Sequence, residues 1–119
     1  MQTENLRAGK LNFEGWGDTK IIELAEITSL MTKSQKEKIF SGCDLKNLAK
    51  IFEDPTMMST VKSFLDNGMN VAKTARAMYM HRNTLLYRLN AIRRLTGLDL
   101  KDFKMAVTFE ILHSLYAMK

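Results

Sequence analysis

An all-α fold is predicted by three features of the 119-residue sequence. Apolar residues recur at helical spacing along most of it, strand-like alternation of β-branched residues is nearly absent, and there is a single proline. The length suits one compact domain with one core, and 45% hydrophobic with 26% charged residues is an ordinary composition for a folded chain.

The elements follow in order. The opening residues, MQTENLRAGKLNF, have weak periodicity, and EGWGD places two glycines beside an aromatic, which suits a turn or a short extended piece. Asp18 is then placed to cap a helix over roughly residues 19–31, with Ile22, Leu24, Ala25, Ile27 and Leu30 on its buried side. Thr32 and Gln35 have capping-box spacing for a second helix, which Ser41 and Gly42 end. Asp44 opens a short helix with Leu45, Leu48, Ile51 and Phe52 as its apolar side.

Asp54 followed by Pro55 is the strongest helix start in the chain, an acidic N-cap before proline at the first helical position. That helix runs to about Asn67 with Met58, Val61, Phe64 and Leu65 inward, and Gly68 stops it. Asn70 caps VAKTARAM, where Ala72 and Ala75 offer small side chains for close helix approach. After a short connection, an arginine-rich helix runs to Gly97, and a last helix spans roughly residues 102–118 with Phe103, Ala106, Val107, Ile111, Leu115 and Met118 as its stripe. The chain divides on this reading into a helical or linking segment, residues 1–53, and a helix-turn-helix domain, residues 54–119.

The net charge of +5 is unevenly spread. Residues 1–54 hold eight Lys/Arg against nine Asp/Glu, whereas residues 55–119 hold ten against four. No carboxylate lies between Asp66 and Asp99, where Lys73, Arg76, Arg82, Arg88, Arg93 and Arg94 fall. Such a basic stripe is the footprint of a phosphate-binding surface.

Two helices joined by a turn, the first short and alanine-bearing, make a helix-turn-helix, whose second helix enters the DNA major groove. Advancing about 100° per residue puts Leu85, Leu89, Ile92 and Thr96 on the core side of that second helix. Opposite lie Asn83, Tyr87, Asn90 and Arg94, flanked by Thr84 and Arg88 on one side and Leu86 and Arg93 on the other. A merely solvated face would mix Glu with Lys to form same-face ion pairs. Here the residues are those that read grooves: Arg for guanine, Asn for adenine, Thr for a thymine methyl or a phosphate. Arg82, Asn83 and Thr84 in the first turn are expected at base edges, and Arg88, Arg93 and Arg94 at phosphates. His81, just before the helix, is expected to cap it or meet phosphate, and Lys73 extends the basic surface.

The segment FLDNGMNVAKTARAMYMHRNTLLYRLNAIRRLTGLDL resembles the C-terminal helix-turn-helix of the PucR/CdaR group of bacterial transcription regulators, most specifically in NxxxTARxxxxHRNTLxYRLxxI. The likeness covers roughly residues 13–115, and a weaker one in HRNTL extends to the factor for inversion stimulation, so a Fis-like recognition unit is implied. The resemblance places Arg82 and Thr84 at base- or backbone-contacting positions, Ala75 at the helix crossing and Leu85 in the core. Tyr79 departs from the general pattern, in which many such turns carry glycine. Members of the group usually have an N-terminal sensory region, which makes this chain the expected C-terminal part of a longer regulator.

The expected function is therefore sequence-specific binding of double-stranded DNA in a bacterial cytoplasm. The alternative is a helical dimerisation or adaptor module. A homodimer is expected, with Leu112, Leu115, Tyr116 and Met118 giving the last helix more apolar surface than one small core needs. No catalytic constellation, cofactor motif or metal-ligand spacing is visible, and no apolar run approaches the ~20 residues of a membrane span. The lone Cys43 has no partner for a disulfide and reads as an inert thiol; His113 reads as a surface or half-buried helix residue, and the nine methionines as core filling.

Overall fold

The computed structural model describes residues 10–13, 17–20 and 23–117. Ile22 and Met118, named above as apolar-side residues, lie outside them.

Two short strands, β1 (Lys10–Phe13) and β2 (Gly17–Lys20), pair antiparallel with Lys10 opposite Lys20 and Asn12 opposite Asp18. This corrects the expected helix start at Asp18, because residues 17–20 give their backbone to the hairpin. The helix that follows, α1 (Leu24–Thr28), is only five residues long and its N-cap, Glu23, makes no side-chain capping bond. Its expected apolar side is also corrected. Ile27 is exposed and Leu30 is 84% exposed, while Thr28 is the buried residue, its hydroxyl 3.1 Å from Ser114 Oγ on the last helix.

The remaining helix starts are set by the expected caps. At α2 (Lys33–Phe40), Thr32 Oγ1 accepts from Gln35 N–H and Gln35 Oε1 accepts from Thr32 N–H, the complete capping box. Asp44 accepts from Asn47 N–H at the start of α3 (Leu45–Phe52), and Asp54 accepts from Thr56 and Met57 N–H at the start of α4 (Pro55–Asp66). Asn70 accepts from Lys73 N–H to begin α5 (Val71–Ala77). Then come α6 (Arg82–Thr96), ended by Gly97 at φ +81°, and α7 (Phe103–Ala117).

One apolar cluster joins α3 to α7: Leu48, Ile51 and Phe52 from α3, Val61 and Phe64 from α4, Ala75 from α5, Leu85, Leu89 and Ile92 from α6, and Leu100, Ala106, Phe109 and Leu112 beyond it. The core thus runs across the expected division at residue 54. Phe52 lies edge-on to Phe109 and tilts against His113 and Tyr116. Beside it the Tyr116 hydroxyl donates to Glu53 Oε2, a bond that holds the phenol above its ordinary range.

Two apolar faces differ from expectation. On α5, Ala75 is buried but Ala72 is exposed, because the inward ridge of this two-turn helix is Val71, Thr74, Ala75 and Met78. On α7, the buried ridge is Ala106, Phe109, Leu112 and Leu115, leaving Phe103 70% exposed, Val107 outside and Ile111 half-buried. Apolar residues lie nearly all round this helix, so spacing alone does not choose its inner face; the fit of Phe109 on Phe52 does. Leu112 and Leu115, expected as surplus for a two-fold contact, are buried within the chain, and Tyr116 is half-buried against Phe52.

Candidate nucleic-acid interface

The site is built from the turn outward. The backbone after α5 closes as a Schellman motif: Met80 N–H donates to Ala75 O at 3.0 Å and Tyr79 N–H to Arg76 O at 3.2 Å. Tyr79 takes the left-handed position of that motif, at φ +53°. Left-handed backbone costs an L-residue roughly 1–2 kcal/mol, which is why glycine is common there. The departure from glycine noted in the sequence therefore leaves the turn's shape intact and loads it with strain. Half-buried Met80 packs against the core and fixes the far side of the turn.

His81 follows as the N-cap of α6, its Nδ1 accepting from Asn83 N–H at 3.0 Å. An accepting Nδ1 leaves the neutral ring's N–H at Nε2, so the cap also sets which edge of the imidazole is a donor. With Asn83 N–H on the imidazole and Thr84 N–H on His81 O at 3.0 Å, the first turn is largely satisfied from within, and the helix dipole still favours an anion at this end.

Leu85, Leu89 and Ile92 anchor α6 in the core, as their spacing predicts. Outward, Arg82, Asn83, Thr84, Tyr87, Asn90, Arg93 and Arg94 are all exposed, and Lys73 is exposed on the neighbouring α5. The Arg94 guanidinium lies 5.8 Å from the Tyr87 ring centroid, a cation–π pairing that holds both side chains on the outer face. Arg88 stands apart from the other candidates. It is half-buried, and its guanidinium donates to Thr60 Oγ1 on α4 at 3.0 Å. Nothing in the local pattern of either helix announces that bond, because it depends on how α4 and α6 cross.

The structure thus brings His81, Arg82, Asn83, Thr84, Tyr87, Asn90, Arg93 and Arg94 onto the N-cap and outer side of one helix, with no carboxylate between Asp66 and Asp99 to neutralise them. Arg76, part of the basic stripe in the sequence but given no contact role there, is exposed on α5, and Tyr79 is exposed in the turn. No helix among the described residues is long and apolar enough to cross a membrane.

This arrangement has known counterparts. Residues 57–112 match the model of the PucR C-terminal helix-turn-helix domain. The purine catabolism regulatory protein of Bacillus subtilis (strain 168) is 32% identical over 81 residues, 67% of this chain and 15% of that protein. The carbohydrate diacid regulator of Escherichia coli (strain K12) is 37% identical over 59 residues, 50% of this chain and 15% of that one. Among solved structures, the regulator of polyketide synthase expression from Bifidobacterium adolescentis matches with a TM-score of 0.58 at 25% identity, over 80% of this chain and 37% of that one. The chain spans about a quarter or less of the length of such curated relatives. The matched stretch takes in most of α4, all of α5 and α6 and the first part of α7, and residues 57–112 of this chain belong to the PucR C-terminal helix-turn-helix family.

Proposed function

We propose that this domain binds double-stranded DNA sequence-specifically as part of a bacterial, cytoplasmic transcription regulator, with α6 in the major groove. The observation that carries the reading is the outer face of α6, made of Arg, Asn, Thr and Tyr without a single acid. Arg82, Asn83 and Thr84 in the first turn read base edges, with His81 beside them at the cap. Tyr87 and Asn90 line the groove wall, while Arg93, Arg94 and Lys73 meet phosphates and fix register. Arg88 serves this surface chiefly by holding α6 against α4. The DNA-binding unit begins at α3, whose Leu48, Ile51 and Phe52 share its core.

One recognition helix contacts few base pairs, so two copies bind half-sites about 34–36 Å apart. The test is binding of duplex DNA at two salt concentrations, followed by selection from a random pool. Phosphate neutralisation gives affinity that falls steeply with salt, and selection returns a paired half-site. A protein that binds no duplex at low salt yet self-associates favours the adaptor reading instead. A protein that saturates the selected site at one copy per duplex rules out the pairing.

A further inference from the structure

Three properties meet at Tyr79, where the fold requires a left-handed residue but not a tyrosine. Its side chain is 97% exposed, its phenol has no hydrogen-bond partner among the described residues, and its backbone sits in the left-handed region. A side chain so exposed adds no packing to the chain, and glycine would adopt the same backbone without strain. Strain held at one residue without local compensation points to a role outside the fold.

The surroundings indicate which role. Lys73, Arg76 and Tyr79 recur every three residues along α5 and its C-terminal turn, and all three are exposed. The turn leads within three residues to Arg82 at the start of α6. It is also a rigid mount, held to α5 by the two Schellman bonds and to the core by Met80. A tyrosine has few rotatable bonds, so ordering it on contact costs little. Its neighbours are cationic, which favours an anionic partner.

We propose that Tyr79 is an additional contact to the DNA backbone, its phenol O–H donating to a phosphate oxygen at the rim of the groove that α6 enters. The inference rests on the DNA-binding reading of α6. A neutral hydroxyl adds a hydrogen bond without neutralising a charge, so it strengthens binding to all sequences alike and leaves the salt dependence as it is.

The experiment compares the chain with Tyr79→Phe and Tyr79→Gly, measuring thermal unfolding and affinity for a mixed-sequence DNA duplex at two salt concentrations. Tyr79→Gly is expected to melt at or above the parent temperature and to bind about 3- to 10-fold more weakly, the range for loss of one hydrogen bond. Tyr79→Phe is expected to lose binding in the same direction, with the salt slope unchanged in both. Parent-like affinity in both variants, while the parent itself binds with a steep salt slope, overturns the inference and leaves the α6 reading standing. A parent chain that binds no duplex overturns both. If Tyr79→Gly does not fold, Tyr79→Phe alone decides, because it removes only the hydroxyl.

Discussion

The Arg88 guanidinium donates to Thr60 Oγ1 across 3.0 Å and so ties α6 to α4. Thr60 is fully buried, and its hydroxyl gives its own proton to Thr56 O at 2.9 Å, which leaves the oxygen free to accept. The bond adds a polar tie on the flank of α6, whose inner face is set by Leu85, Leu89 and Ile92. Thr60→Val keeps the shape and removes the acceptor. It is expected to cost about 1 kcal/mol of stability, as is Arg88→Ala, and the double variant should cost less than the two together. Denaturant unfolding of the four proteins checks this; strictly additive losses would show that the two side chains are not coupled.

Leu85 and Leu89 hold the inner side of α6. Replacing either by Ala is expected to cost about 2–5 kcal/mol, since each is almost fully buried in the cluster that joins α3 to α7. DNA affinity falls with the folded fraction. A melting temperature unchanged from the parent would mean that the inner and outer faces are reversed.

On the proposed DNA-binding reading, the outer side separates into two kinds of contact. Arg82→Ala and Asn83→Ala are expected to weaken specific binding by roughly 1–3 kcal/mol each and to relax preference at one base position. Arg93→Ala weakens binding to all duplexes equally and lowers the salt slope by about one. Affinity and preference both intact in Arg82→Ala would sink the base-reading assignment.

Glu110, half-buried on α7, has its carboxyl held above the ordinary range, first by desolvation. His113 opposes that shift, Asp66 adds to it and Lys62 opposes it. A carboxyl raised in the folded state binds its proton more tightly there than in the unfolded chain. The stability that the proton brings is therefore complete below the ordinary value of 4.5 and lost as pH rises from there through the folded value. Glu110→Gln is expected to melt above the parent at neutral pH, with the gap closing below pH 4.5. Equal melting at both ends of that range would contradict the burial argument.

Much of this was legible because caps and periodicity are local. Thr32, Asp44, Asp54 and Asn70 each start the helix their side chain is suited to start, and the spacing of Leu85, Leu89 and Ile92 alone gives the inner face of α6. What was not legible depends on contacts distant in sequence. The hairpin of β1 and β2 takes residues that in isolation read as a helix start. The inner face of α7 is chosen by Phe52, and the engagement of Arg88 by Thr60, 28 positions away. Tyr79 is an intermediate case: its place in the turn is readable, but its backbone sign is set by the Schellman bonds that close around it.

Because Phe52 is wedged against Phe109, His113 and Tyr116, the chain does not enter the helix-turn-helix unit through a slack tether. It enters through the keystone of its aromatic vault. A fragment trimmed to begin at residue 57, where the family match starts, would pull that keystone out and leave Phe109 and Leu48's neighbours facing water.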